Sequence, residues 1–269
     1  MEKIKKNKKI FNTMLIIGGI VTFIAFIISF AIMFEPLGFL VLTVYIMVSL
    51  IFYNEKVKKP FKLEIVGNIL KSYKPTIEYV YKDKMEDVKY MIKELKLIPS
   101  ASTFNFCDII SDDVNGIRYK SMDLHATHTT SNGKSTTTVT DFKGKVFAID
   151  LSSSNVSYIL KEEKWKHVPK GYSFIELEVI DFNSKFNLYT TDEHEIFKVF
   201  TPSKIQELMK IEKKYDNIMT IVQIKEKLYI LLYDREDLFE DINNPDVSII
   251  EDYKSQVQIL TDYLNVVND

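Results

Sequence analysis

Cysteine is almost missing: Cys107 is the single one in 269 residues, so no disulfide can form within the chain, which fits a reducing compartment. Its place between Phe106 and Ile109 reads as a small buried hydrophobe and not as a catalytic thiol. Arginine is nearly absent too, with only Arg118 and Arg235 against many lysines, which points to A+T-rich coding more than to a mechanism. The formal net charge is −2, and outside the basic first residues the chain is mildly acidic. Without a concentrated basic face, a nucleic-acid partner is excluded. Neither repeats nor a low-complexity linker divide the chain after residue 54, so that part reads as one domain with enough residues for a real core.

A further absence organises the rest. Residues 10–34 carry no charged side chain over 25 positions, and at ~1.5 Å per residue this run exceeds the ~30 Å hydrocarbon core of a bilayer. Residues 37–53 form a second uncharged run of 17 positions, at the lower edge of the spanning range. With Glu35-Pro36 and Gly38 breaking the helix between them, the two runs predict an antiparallel transmembrane hairpin, a re-entrant second segment being the competitor. A secretory signal peptide expects an apolar stretch of roughly 7–15 residues and a small-x-small cleavage site, and neither is present. The absence of ionisable groups inside both runs leaves a proton or ion pathway without support.

Orientation follows from lysine placement. Lys3, Lys5, Lys6, Lys8 and Lys9 precede the first run and Lys56, Lys58, Lys59 and Lys62 follow the second, which predicts a cell-membrane protein with both termini cytoplasmic. The reading is thus a basic cytoplasmic tail (1–9), a transmembrane helical hairpin (10–54) and a soluble α+β domain (55–269). Gly18, Thr22, Ala25 and Ser29 put small side chains on one face of the first helix, allowing close contact with the second helix or with another copy of the chain, a homo-oligomer.

In the remainder, helical periodicity marks 58–73, ended by Pro75, and 85–95, ended before Pro99. Residues 78–82 alternate as a short strand. From 103 to 151 alternation and β-branched residues predict a long hairpin, with Asn132-Gly133 as a type I′ turn and a polar, mobile tip over 127–138. A strand is expected over 172–180. Thr201-Pro202 opens a helix, threonine as cap and proline in the first turn. Strands over 218–224 and 228–233 follow, and then an amphipathic helix over 245–267 with Ile249, Tyr253, Val257, Leu260 and Leu264 on its stripe, packed onto the domain's own sheet. The fold class is α+β with a mainly antiparallel sheet.

Chemistry-bearing motifs are weak throughout, and the sequence calls for no cofactor. Gly133-Lys134-Ser135-Thr136 ends like a phosphate loop, but His128 stands where its first glycine belongs. His125 and His128, three apart on a strand, point to opposite faces and lack a third metal ligand. Asp192-Glu193-His194-Glu195 reads as an acidic turn at a helix start. A calcium loop beginning at Asp241 fails at Pro245 and Asp246, where a ligand and a glycine belong. Trp165, beside Lys164 and Lys166, fits a lipid interface, a partner surface or a core cap equally.

The order of features from residue 60 to about 240 resembles a bacterial membrane-protein family, domain of unknown function 3137. The resemblance rests on Phe142, Gly144 and Phe147, on Phe182 and Phe186 with Tyr189 and Asp192, on Thr201-Pro202, and on Leu238-Phe239-Glu240. It departs from the family pattern after Glu195, where Ile196 and Phe197 replace a small and a basic residue. The family implies an N-terminal membrane hairpin before a soluble domain and supplies no activity. The phenylalanines are expected to anchor the core.

These readings converge on a non-enzymatic interaction or scaffold module at the inner leaflet. It would partner the bilayer and another membrane or cytoplasmic protein. The alternatives are a membrane-bound hydrolase or transferase using Asp141, Asp181 or Asp192, and an anionic-lipid sensor using Lys56, Lys58, Lys59 and Lys62.

Overall fold

The structure, a computed structural model, describes residues 1–31, 35–151, 156–162, 168–215 and 219–268, without side chains at 29–31, 35–38, 267 and 268. Trp165, Lys164 and Lys166 lie outside the described residues, as do the side chains of Ser29 and Val267.

Two long apolar helices come first. Helix α1 spans Glu2–Ala31 and α2 spans Glu35–Tyr53. By length and composition both are able to cross a membrane. They pack antiparallel: Phe11 meets Tyr53, Phe26 meets Phe39, and Tyr45 Oη donates to the Met14 carbonyl at 2.5 Å. Of the small-residue face, Gly18 lies under the Tyr45 ring, where a Cβ would come within 2.1 Å of a ring carbon, and Thr22 is buried.

The lysine-rich start is helical from Glu2 onward because nothing in it breaks a helix. More consequential is the far end of α2. The chain stays helical from Glu35 through Tyr73: π-helical segments at Asn54–Lys58 and Phe61–Val66 lead into α3, Gly67–Tyr73. Pro60 lacks an N–H and clashes with the preceding turn, and the wider π turns on both sides accommodate it without ending the helix.

The body is α+β around one sheet. In chain order come β1 (Glu78–Asp83), α4 (Glu86–Glu94), β2 (Thr103–Val114), β3 (Ile117–Ser131), β4 (Thr136–Asp150), β5 (Tyr158–Lys161), β6 (Ser173–Ile175), α5 (Ile180–Lys185), β7 (Asn187–Thr190), α6 (Ile196–Val199), α7 (Pro202–Tyr215), β8 (Met219–Ile224), β9 (Lys227–Tyr233) and α8 (Pro245–Asn268). The nine strands lie in the order β1-β2-β3-β4-β9-β8-β5-β7-β6, every neighbouring pair antiparallel.

Both sheet faces are covered, which is why the central strands read as continuous apolar runs. Phe147, Leu160, Leu188, Ile221 and Ile230 pack under α7 and α8, while their neighbours Val146, Ile159, Tyr189, Val222 and Leu231 face the α4 side. A third cluster joins the continuation of the second apolar helix to the body: Val57, Phe61, Val66 and Leu70 pack with Ile77, Ile110, Leu238, Phe239, Ile249 and Tyr253. Ile4 of α1 belongs to it as well.

Several expectations need correction. The strand expected over 172–180 shrinks to β6, because the Asn183 amide accepts from Leu177 N–H and donates to its carbonyl, taking the place of a ladder; Ile180 instead starts α5 and is 85% exposed. The 103–151 stretch is a three-stranded meander. At its β3–β4 turn, Gly133 stands at φ 80° and Lys134 does not take a positive φ, so the loop matches the first central position of a type II′ turn and not type I′. The ladder runs to the pair Ser131–Thr136.

Candidate functional site

The junction between the second apolar helix and the sheet is built around a lysine with no solvent access. Lys62, on the second π segment, is 0% exposed. Its ammonium donates to Asp108 Oδ2 at 2.8 Å and to the Leu238 carbonyl, approaches Glu240 Oε1 at 3.1 Å, and lies 5.7 Å from the centre of the Phe239 ring. Burial works against the ammonium, but Asp108 and Glu240 outweigh it and hold Lys62 above its ordinary value. Lys62 is therefore not the exposed head-group lysine that the sequence reading expects, whereas Lys56 and Lys59 are exposed.

Asp108 reaches Lys62 because β2 is irregular there. The β2–β3 register shifts between Cys107 and Ile110, and Asp108 takes φ 52°, a conformation that aspartate tolerates better than most residues. Its second oxygen accepts from Tyr79 Oη at 2.5 Å.

The connection from β9 to α8 is strapped over the sheet by the same chemistry. Leu238 N–H donates to Asp123 Oδ2 at 2.7 Å and Phe239 N–H to Asp252 Oδ2 at 2.8 Å. Lys145 donates to the Glu236 carbonyl at 3.2 Å and pairs with Asp234 at 3.0 Å; Lys143 donates to the Arg235 carbonyl at 2.7 Å and pairs with Asp237 at 3.2 Å. Asp123 is buried, its Oδ1 makes no hydrogen bond, and burial pushes its carboxyl up to about 7 against the opposing Lys145.

Beside this junction opens a cleft of about 990 Å³, lined among others by Lys58, Tyr81, Lys82, Lys84, Cys107, Asp108, His125 and Lys143. Cys107 is half-buried and opens onto it, so the expectation of an ordinary core residue holds only in part. Burial first, then Asp108 and Asp123, push its thiol up to about 12, which leaves it protonated and a weak nucleophile. Cys107, Asp108 and Asp123 offer ligand atoms within 4.8 Å of one another. Two lysine ammoniums already neutralise those carboxylates, Lys62 at Asp108 and Lys145 3.9 Å from Asp123, so the donor set fits a divalent cation poorly.

The three carboxylates considered for hydrolytic chemistry do not meet. Asp141, on β4, pairs with His128 Nδ1 at 2.7 Å; Asp181 sits exposed on α5; Asp192 follows β7 and accepts the backbone N–H groups of His194 and Glu195 at 2.9 and 3.0 Å. Those backbone donors hold the Asp192 carboxyl below its ordinary range. The two histidines also have separate partners, His125 lying 3.0 Å from Thr140 Oγ1. Asp241, where the calcium-loop comparison begins, accepts from Asn243 N–H, and Asp252 accepts from Phe239 N–H.

The remaining motif residues sit in structural positions. The Phe182 and Phe186 rings meet at a tilt with centres 4.9 Å apart, and the Phe200 ring centre lies 6.2 Å from that of Phe182. Phe147 is fully buried, and Phe142 packs on Tyr233. Gly144 lies where a Cβ would come within 2.0 Å of the Leu232 carbonyl oxygen. Thr201 Oγ1 accepts from Lys204 N–H at 3.3 Å, and Pro202 is the first residue of α7. Phe239, with Leu238 and Glu240, belongs to the Lys62 junction, which ties the last motif to the continuation of the second apolar helix.

Lys62 was the functional position hardest to find by sequence. Among Lys56, Lys58 and Lys59 it reads as one more head-group lysine, and only the run of buried Phe61, Val66 and Leu70 beside it marks an inward face.

No curated protein matches the chain. Among solved structures, the crystal structure of the mycobacterial trehalose monomycolate transport factor A, TtfA, is similar with a TM-score of 0.43 and 8% identity, covering 76% of this chain and 94% of that one. A match to the family described as protein of unknown function (DUF3137) spans residues 134–269, from the β3–β4 turn to the end of α8. The motifs around Phe142, Phe182, Thr201 and Phe239 all fall inside it, and the chain belongs to the DUF3137 family.

Proposed function

We propose that this protein is a membrane-anchored interaction module: a transmembrane hairpin with both termini cytoplasmic holds an α+β body against the inner leaflet, where the cleft beside Lys62 receives a protein partner. One observation carries this reading. The second apolar helix runs unbroken into the body and is locked there by a buried lysine, a rigid tether and not a flexible leash. The lysines flanking both apolar runs support the orientation. The separation of Asp141, Asp181 and Asp192 onto different elements weighs against a hydrolase.

Site-specific photo-crosslinking in cells tests the proposal. A crosslinker at Lys82, on the cleft, is expected to trap one recurrent protein that a crosslinker at exposed Lys213 on α7 does not. Identical adduct patterns from the two positions would remove the cleft as the interaction site. A reporter fused after Asp269 that is active only outside the cytoplasm would overturn the orientation.

A further inference from the structure

A separate crevice lies on the hairpin itself. Where α1 and α2 emerge toward the basic flank, a crevice of about 680 Å³ runs along them. Its wall is apolar over Ile10, Met14 and Ile17 with the Tyr45 ring, and at one end stand Lys6 and Lys9. Both lysines are exposed, and neither makes an ion pair or side-chain hydrogen bond among the described residues, in contrast to Lys8, which is bound to Asn243. From Lys6 to Ile17 is about three turns of helix, ~17 Å, close to the ~15 Å of hydrocarbon in one leaflet. The charges thus stand at head-group depth when the apolar wall lies at acyl-chain depth.

We propose that this crevice is a specific site for one acidic phospholipid of the cytoplasmic leaflet, its acyl chain along Met14 and Ile17 and its phosphate head between Lys6 and Lys9. The proposal rests on the hairpin spanning a membrane in the orientation given above. Charge complementarity selects the occupant. A zwitterionic lipid fills the same wall but brings no net negative charge to two unpaired ammoniums, and a second copy of the helix would bury both lysines against its own basic flank. Tyr45 fixes the floor by donating to the Met14 carbonyl, which turns its hydroxyl away from the ligand and leaves the ring as an apolar surface.

Native mass spectrometry of the full chain, released from nanodiscs of one part phosphatidylglycerol to three parts phosphatidylcholine, tests this. The chain is expected to retain one phosphatidylglycerol in preference to phosphatidylcholine. Each lysine near an anionic head is worth roughly fivefold in binding, so K6Q/K9Q should cut that preference by about twenty-five-fold. K3Q/K5Q, which removes the same charge from other exposed positions of α1, should leave it unchanged. A groove-filling substitution, Ile17→Trp, keeps both lysines and should also abolish retention. Equal loss in the two lysine pairs, or full retention in Ile17→Trp, would reduce the effect to general surface charge and overturn the proposal. Failure of the wild-type chain to enter nanodiscs would sink the membrane reading itself, a separate result from insertion without lipid preference.

Discussion

At Lys62 two desolvated charges depend on each other. Removing one partner of a buried ion pair leaves the other uncompensated, at a cost of about 3–5 kcal/mol, whereas removing both forfeits much less than the sum. Lys62→Met is therefore expected to lower stability by roughly that amount, because Asp108 then keeps only the Tyr79 hydroxyl. Asp108→Asn should act in the same direction, and the double variant should cost less than the two singles added together. Denaturant unfolding of the four proteins in one detergent measures the coupling; strict additivity would show that the pair is not a unit. Asp123 gives a different signature. Its carboxyl is raised from the ordinary 3.8 to about 7, so the folded state binds the proton more tightly than the unfolded chain does. The stabilisation linked to this group is full below about pH 4 and is lost as pH rises through about 7, at most about 4 kcal/mol across the window. Asp123→Asn keeps an acceptor for Leu238 N–H and should flatten that part of the stability profile. Unfolding midpoints at pH 5, 6, 7 and 8 decide it, and a wild-type curve as flat as the variant's would exclude the linkage.

At the scale of elements, Gly144 leaves no room for a side chain where β4 pairs with the end of β9. A methyl group there meets the Leu232 carbonyl oxygen at 2.0 Å and the Asp234 nitrogen at 2.9 Å, both backbone atoms that cannot swing aside. Gly144→Ala is expected to destabilise the body by at least the ~1–3 kcal/mol of core overpacking, while Gly19→Ala, with open space around it, should not. Thermal melts of the pair test this, and an unchanged midpoint for Gly144→Ala would mean that the two strands part easily. The same strands explain what sequence reading reached. β8 and β9 were legible because each is long, rich in branched residues and separated from the other by a two-residue turn. α7 was legible from Thr201-Pro202, and α8 from its stripe. β5 and β7 were not: Tyr158–Lys161 is four residues, all buried, with no alternation, and Asn187–Thr190 is flanked by helix on one side and an acidic turn on the other. The opposite error at 172–180 arose because apolar residues crowding both faces look the same in a strand and in a loop tied down by Asn183. The Lys62–Asp108 contact stayed hidden for a third reason. It depends on a one-residue irregularity in β2, and register shifts leave no trace in hydrophobic periodicity.

At the scale of the whole molecule, the junction is where the two apolar helices meet the body. α1 docks its first turn through Ile4, Asn7 donates to the Lys56 carbonyl at 2.9 Å, and the helix from Glu35 to Tyr73 carries Lys62 into the body. In the function proposed above, this junction would hold hairpin and sheet in one relative orientation and present the cleft at a fixed height above the bilayer. Spin labels at Lys5 on α1 and Lys82 on β1, both exposed, in a Cys107→Ser background, should give one narrow distance distribution in the wild type. In Lys62→Met the distribution should broaden, even where the nine-stranded sheet itself survives, because the lost contact lies between the two halves and not within either. A broad distribution already present in the wild type would mean that the π-helical segments around Pro60 act as a hinge. The body would then sample many heights, and rigid presentation could not be what the buried lysine is for.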